Sequence, residues 1–195
     1  MLVMGGNIMK RILLGLSFIV LFIVGCTNTM NTPTKRVEEL LGKYQKLDSA
    51  VLAQLDNVIA EDTTMTDEQK KEYRSLMEKQ YQNLSYKIKG EEITGDDATV
   101  DIEIEVLDYA TSINESRKYY SEHKDEFKDE NIDKTETVVD DNTKYIDYKI
   151  KELKNVTDKK KYDITFNLIK DKNNNWKLED ISDIDRKKIH GLYEG

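Results

Sequence analysis

The spacing of apolar residues changes period along this chain, and that change constrains the fold more than any other feature of the sequence. From residue 34 the positions Val37, Leu40, Leu41, Tyr44, Leu47, Val51, Leu52, Leu55, Val58 and Ile59 keep the three-and-four spacing of one helix face. Thr66 and Gln69 have the spacing of a capping box, opening a second helix with Tyr73, Leu76, Met77 and Gln80 on one side. The period then drops to two. Leu84, Tyr86 and Ile88 alternate with polar residues, and after a Gly95-Asp96-Asp97 turn Val100, Ile102, Ile104 and Val106 alternate with Asp101, Glu103 and Glu105. Such a pairing predicts an antiparallel hairpin with one apolar and one acidic face.

Helical spacing returns at Ser112 and Glu115, a second capping-box pattern followed by Ile113, Tyr120 and Phe127. Residues 142–154 fit both periods, a helix through Ile146, Ile150 and Leu153 or a strand through Ile146, Tyr148 and Ile150. Leu153 extends the helical face where Glu152 breaks the alternation, so a helix is expected. The string Tyr-Lys-Ile-Lys, at 86–89 and again at 148–151, is read as coincidence. A last hairpin is predicted from Tyr162, Ile164, Phe166 and Leu168, a turn at 171–175, and Trp176 with Leu178. A short terminal helix with Ile184 and Ile189 then ends on Gly191 as a left-handed cap.

The expectation is an α+β domain over residues 34–195, its N-terminal helices packed on a curved antiparallel sheet of about four strands. Helices are predicted near 34–60, 67–83 and 112–127, and strands near 84–93, 98–108, 161–170 and 175–181.

Residues 1–25 carry a different signal. Lys10 and Arg11 precede an apolar run over 12–24, interrupted only by Gly15 and Ser17 and followed by Gly25 and Cys26. A charged start, a short apolar stretch and a small residue make a secretory signal layout. As a helix, that stretch reaches only about 20 Å, short of the roughly 30 Å hydrocarbon core. The layout begins at Met9, which is the expected start of translation. Ile23-Val24-Gly25-Cys26 resembles the lipobox of bacterial lipoproteins. The resemblance implies cleavage before Cys26, acylation of that cysteine, and a chain held on the extracytoplasmic face of the cell membrane by lipid, with residues 26–33 as a short tether.

Cleavage before Cys26 leaves 170 residues, enough for one core. Their 38 acids face 28 bases once Lys10 and Arg11 are gone, a formal charge near minus 10 that disfavours nucleic acid as a partner. Cys26 is the only cysteine, so a disulfide, a thiolate metal site and a cysteine nucleophile are excluded once it carries lipid. The order of elements, closing on Tyr162-x-Ile164-x-Phe166-x-Leu168 and Trp176-x-Leu178, looks like the nuclear-transport-factor-2-like (cystatin-like) domains of Gram-positive lipoproteins. That likeness implies a sheet wrapped around helices into a cone whose mouth holds a small ligand. A helix at 142–154 leaves fewer strands than usual and makes the cone shallow.

Candidate chemistry is sparse. Asp108 and Asp180 continue the parity of inward strand faces, so at a rim they are the weak catalytic candidates, together with His123 on its predicted helix. Tyr86, Tyr162 and Trp176 share the inward parity and are candidate pocket residues, with plain core as the commoner fate of such aromatics. Neither His123 nor His190 has a second histidine at ligand spacing, and Asp171-x-Asn173-x-Asn175 lacks the glycine and glutamate of a calcium loop, so no metal site and no cofactor are expected. The reading is a non-catalytic domain that binds an unknown protein or small ligand; the alternative is a small-molecule enzyme using inward carboxylates.

Overall fold

A computed structural model describes residues 31–128 and 143–195. The residues 1–30, including Lys10, Arg11 and Cys26, lie outside the described part. The domain is α+β, with helices packed on a four-stranded antiparallel open sheet whose strands neighbour one another in chain order.

The first helix, α1 (Pro33–Gln45), is capped by Thr32, whose hydroxyl accepts from Lys35 N at 3.2 Å, and starts on a proline whose missing N–H is no loss there. Where the sequence predicts one helix to residue 60 there are two, because the chain breaks at 46–48 before α2 (Ser49–Glu61). Leu47 adopts a left-handed φ of 53°. Leu47 N donates to Tyr44 O and Asp48 N to Lys43 O, the paired bonds of a Schellman ending. The Asp48 side chain then accepts from Ala50 N and caps α2. Glycine usually holds the left-handed position. Here a leucine does, and its side chain packs on the core, so the apolar spacing runs unbroken across the break.

Helix α3 (Asp67–Asn83) opens on the predicted Thr66–Gln69 capping box, both reciprocal bonds being present. Strands β1 (Ser85–Thr94) and β2 (Asp97–Leu107) form the expected hairpin, with Ile88 opposite Ile102 and a register shift between Ile88 and Gly90. Next comes a helical excursion: α4 (Tyr109–Glu122), a 3-10 turn (Lys124–Phe127) and α5 (Thr143–Asn155). Asp108 N donating to Asp158 O at 2.9 Å closes its base. Residues 143–155 are helical, as predicted. The chain returns as β3 (Lys159–Lys170), paired to β2 with Val100 opposite Phe166 and Ile104 opposite Tyr162. A short β4 (Trp176–Leu178) and α6 (Asp183–Ile189) complete the fold; β4 is shorter than the predicted 175–181.

The start of α4 differs from expectation. Its N-cap is Asp108, not Ser112, since Tyr109 and Ala110 are 1% and 2% exposed and their burial draws the first turn back to residue 109. The helix also ends at Glu122, five residues short of the predicted limit.

One side of the sheet is filled. Leu84, Val100, Ile102, Ile104, Val106, Tyr162, Ile164, Phe166, Leu168 and Trp176 are buried in a single cluster with Val37, Leu40, Leu41 and Tyr44 of α1 and Leu76 and Met77 of α3. Tyr86, Ile88 and Leu178 are half-buried at its edge. On the outer side the acids of β2 meet lysines of both neighbours. Lys89 Nζ lies 3.1 Å from Glu103 and 2.9 Å from Asp163, Lys161 lies 3.0 Å from Glu103, and Lys159 lies 3.6 Å from Glu105. That cross-strand pairing offsets a repulsion that the alternating acids of β2 would otherwise impose.

Gln80 joins α3, β2 and the C-terminal segment. Its Oε1 accepts from Leu107 N at 2.9 Å, while Nε2 donates to Leu107 O at 2.8 Å and to His190 O at 2.9 Å. Three buried backbone groups thus find partners in one amide. Gly191, at φ 69°, ends α6 as predicted, and its carbonyl accepts from Ala110 N at 2.8 Å.

Candidate functional site

The predicted site residues are scattered. Asp108 is the N-cap of α4: Oδ1 accepts from Thr111 N at 3.1 Å and Oδ2 from Thr111 Oγ1 at 2.8 Å. Both oxygens serve the helix terminus. Asp180 lies beyond the end of β4 and is exposed. His123 caps the C-terminus of α4, half-buried, with Nδ1 placed 3.0 Å from Tyr119 O to donate to that carbonyl. Neither strand therefore carries its acid inward to a rim. Cys26, the predicted lipid attachment, falls outside the described residues.

Tyr162 and Trp176 are 8% and 5% exposed members of the core, and Tyr86 packs at its edge. The Tyr162 hydroxyl donates to Tyr193 O at 3.0 Å, and Lys170 Nζ sits 4.9 Å over the Trp176 ring. A depression of about 400 Å³ exists at the tip of the hairpin, but other residues form it: Glu92, Thr94, Asp97, Thr99, Asn167 and Glu179, over Ala98 and Leu168. Asp171, first of the calcium-like triplet, spends Oδ1 on Asn173 N at 2.8 Å and Asn175 N at 3.0 Å. Those backbone bonds, that from Asn175 foremost, hold its carboxyl below the usual range. Asn174 adopts φ 62°, as a tight turn requires. No group of three potential metal ligands exists among the described residues.

Two features were not foreseen from sequence. His190 is 3% exposed, its ring edge-on to Tyr81 at 5.4 Å and to Tyr44 at 6.3 Å. Its Nε2 has no hydrogen-bond partner, and burial, reinforced by the nearby Arg186 charge, lowers its pKa to about 4. Burial likewise pushes the Tyr44 hydroxyl up to about 12. A neutral histidine in an aromatic core is structural.

The second feature is a ladder of rings. Tyr119 stacks on His123 at 4.0 Å with planes 13° apart, and on Tyr148 of α5 at 5.0 Å and 22°. Phe127 stands edge-on to Tyr119 and to Tyr148. The rings of Tyr119, His123 and Tyr148 are half-buried, so they reach the surface. Carboxylates surround them. Glu126 accepts from the Tyr119 hydroxyl at 2.9 Å, and the Tyr148 hydroxyl is pushed up by burial and then by Glu152, Glu126 and Glu115. The i, i+4 spacing of Tyr119 and His123 was visible in the sequence, but the third ring arrives from another helix.

No helix among the described residues is long and apolar enough to cross a membrane. No protein-family model matches the chain, and neither a curated protein nor a solved structure matches it.

Proposed function

We propose that this chain is an extracytoplasmic lipoprotein, held to the cell membrane by lipid on Cys26, whose domain is a non-catalytic binding module of the nuclear-transport-factor-2-like kind. The placement of Asp108 and His123 at opposite ends of α4, and of Asp180 beyond the end of β4, carries the choice of binding over catalysis, since general acid–base work needs titratable groups that converge on one reacting atom. The sheet face from which a cone-shaped pocket would be built is packed with side chains from α1 and α3. Binding therefore falls to the outer surface.

The surface that offers most is the Tyr119–His123–Tyr148 ladder with Glu115, Glu126 and Glu152 about it. Rings present negative faces and the carboxylates add charge of the same sign, so the chemistry suits a partner with basic groups. The chain's excess of acids favours the same class of partner. A direct test follows the ring signals of His123 and Tyr119 by NMR during titration with an arginine-rich peptide. The expected result is saturable shifts at both residues that Tyr148→Ala and Glu126→Gln weaken. Unmoved ring signals would overturn the assignment of this face.

A further inference from the structure

The direction in which the domain stands on its membrane follows from where its N-terminal end is tied down. Asn31 is fixed to the β3–β4 turn: its Nδ2 donates to Asn174 O at 2.8 Å and its Oδ1 accepts from Trp176 N at 3.2 Å. The β1–β2 turn lies beside it, since Lys170 N donates to Asp96 O at 2.9 Å. Thr34 N donating to Glu91 Oε2 at 2.8 Å fastens the start of α1 to the same end of β1. The chain entry and both hairpin turns therefore share one end of the sheet. Its other end, where Leu107 pairs with Lys159, is ten strand steps away along β2, about 33 Å.

Cys26 precedes Asn31 by five residues, a span of at most about 18 Å whatever course the chain takes. Large exposed apolar side chains mark this end too. Ile93 and Ile169 are 51% and 44% exposed, each within two residues of a hairpin turn.

From these placements we propose that the hairpin-turn end of the sheet is an interaction surface for the lipid bilayer, with Ile93 and Ile169 meeting the headgroup region. The inference rests on the reading of Cys26 as the lipid anchor. Anchoring within 18 Å keeps this end at high local concentration over the bilayer, so weak apolar contacts suffice to hold it there. Charge does not assist: Glu91, Glu92, Asp96, Asp97, Asp171 and Glu179 outnumber Lys170, Lys172 and Lys177 at this end, so the contact rests on the apolar side chains and not on attraction to anionic headgroups. The opposite end, with Leu107 and the start of α4, then faces away from the membrane.

The test is lysine acylation with a membrane-impermeant reagent on cells carrying the full chain. The reference is a secreted form made by Ile23→Ala, Gly25→Ala and Cys26→Ser, which replaces the lipobox with an ordinary signal-peptidase site. Taking the ratio of anchored to secreted rates for each lysine cancels its intrinsic reactivity. Lys172 and Lys177 should react several-fold more slowly in the anchored protein, with Lys159 at the far end unchanged. Ile93→Asp with Ile169→Asp should restore their rates while the protein stays anchored. If the triply substituted chain is retained by the membrane as wild type is, the anchor reading fails and this surface with it. If it is released but Lys172, Lys177 and Lys159 all react alike in both forms, the anchor stands and the surface is overturned.

Discussion

Gly191 lies so close to the Gln80 amide that a Cβ at position 191 would come within 2.0 Å of Gln80 Nε2 and 2.2 Å of Leu107 O. No rotation of the Gln80 side chain relieves the second contact, because it is with backbone. The left-handed φ of 69° adds to the cost of any side chain there. Gly191→Ala should therefore lower unfolding stability by about 2 to 4 kcal/mol, measured by urea denaturation. A loss below about 0.5 kcal/mol, in the range of ordinary surface changes, would contradict the packing described.

Gln80→Leu keeps much of the volume but leaves Leu107 N, Leu107 O and His190 O without their side-chain partner. Unmade bonds to buried groups cost about 1 to 3 kcal/mol each when nothing replaces them. The expected result is a destabilisation of several kcal/mol and early hydrogen exchange at Leu107 N. Continued protection of that amide in the variant would mean Gln80 is not its partner.

The buried His190 sets a pH dependence. Its pKa is about 4 folded against 6.5 for a free histidine, so the unfolded chain binds the proton more readily. Stability is complete above pH 6.5, declines as pH falls toward 4, and stops declining from this cause once the folded form is protonated as well. The full loss over that window is about 3 kcal/mol. His190→Phe should flatten the dependence between pH 6.5 and 4; an unchanged slope would show that another group is responsible.

Asp108→Ala distinguishes a helix cap from a catalytic acid. Loss of the bonds to Thr111 should cost about 1 kcal/mol, and Asp108→Asn or Asp108→Ser should recover most of it. A stability indifferent to all three changes would contradict the capping role.

The fold was legible wherever apolar spacing and a cap agreed. Thr66 with Gln69, the inward parity of β2 and β3, and Gly191 each lie where the pattern puts them. The spacing failed at Leu47, because a leucine in the left-handed position continues the helical stripe through the turn that ends the helix. Local sequence also had little power over Tyr-Lys-Ile-Lys, which is strand at 86–89 and helix at 148–151. In the strand copy Ile88 pairs with Ile102; in the helical copy Ile150 is buried alongside Ile146 and Leu153. Tertiary packing decides between them. Asp108 followed the strand parity in sequence but became a cap once Tyr109 and Ala110 were buried. The aromatic ladder is not legible in the sequence because Tyr119 and Tyr148 meet only when α4 and α5 pack together.

Where this domain works depends on Cys26, and the most direct measurement is the mass of the N-terminal peptide of the protein extracted from its own membrane. The expected result is a mature chain beginning at Cys26, heavier than its sequence by a diacylglyceryl group on that cysteine. A chain beginning elsewhere, or a Cys26 carrying no lipid, would contradict it.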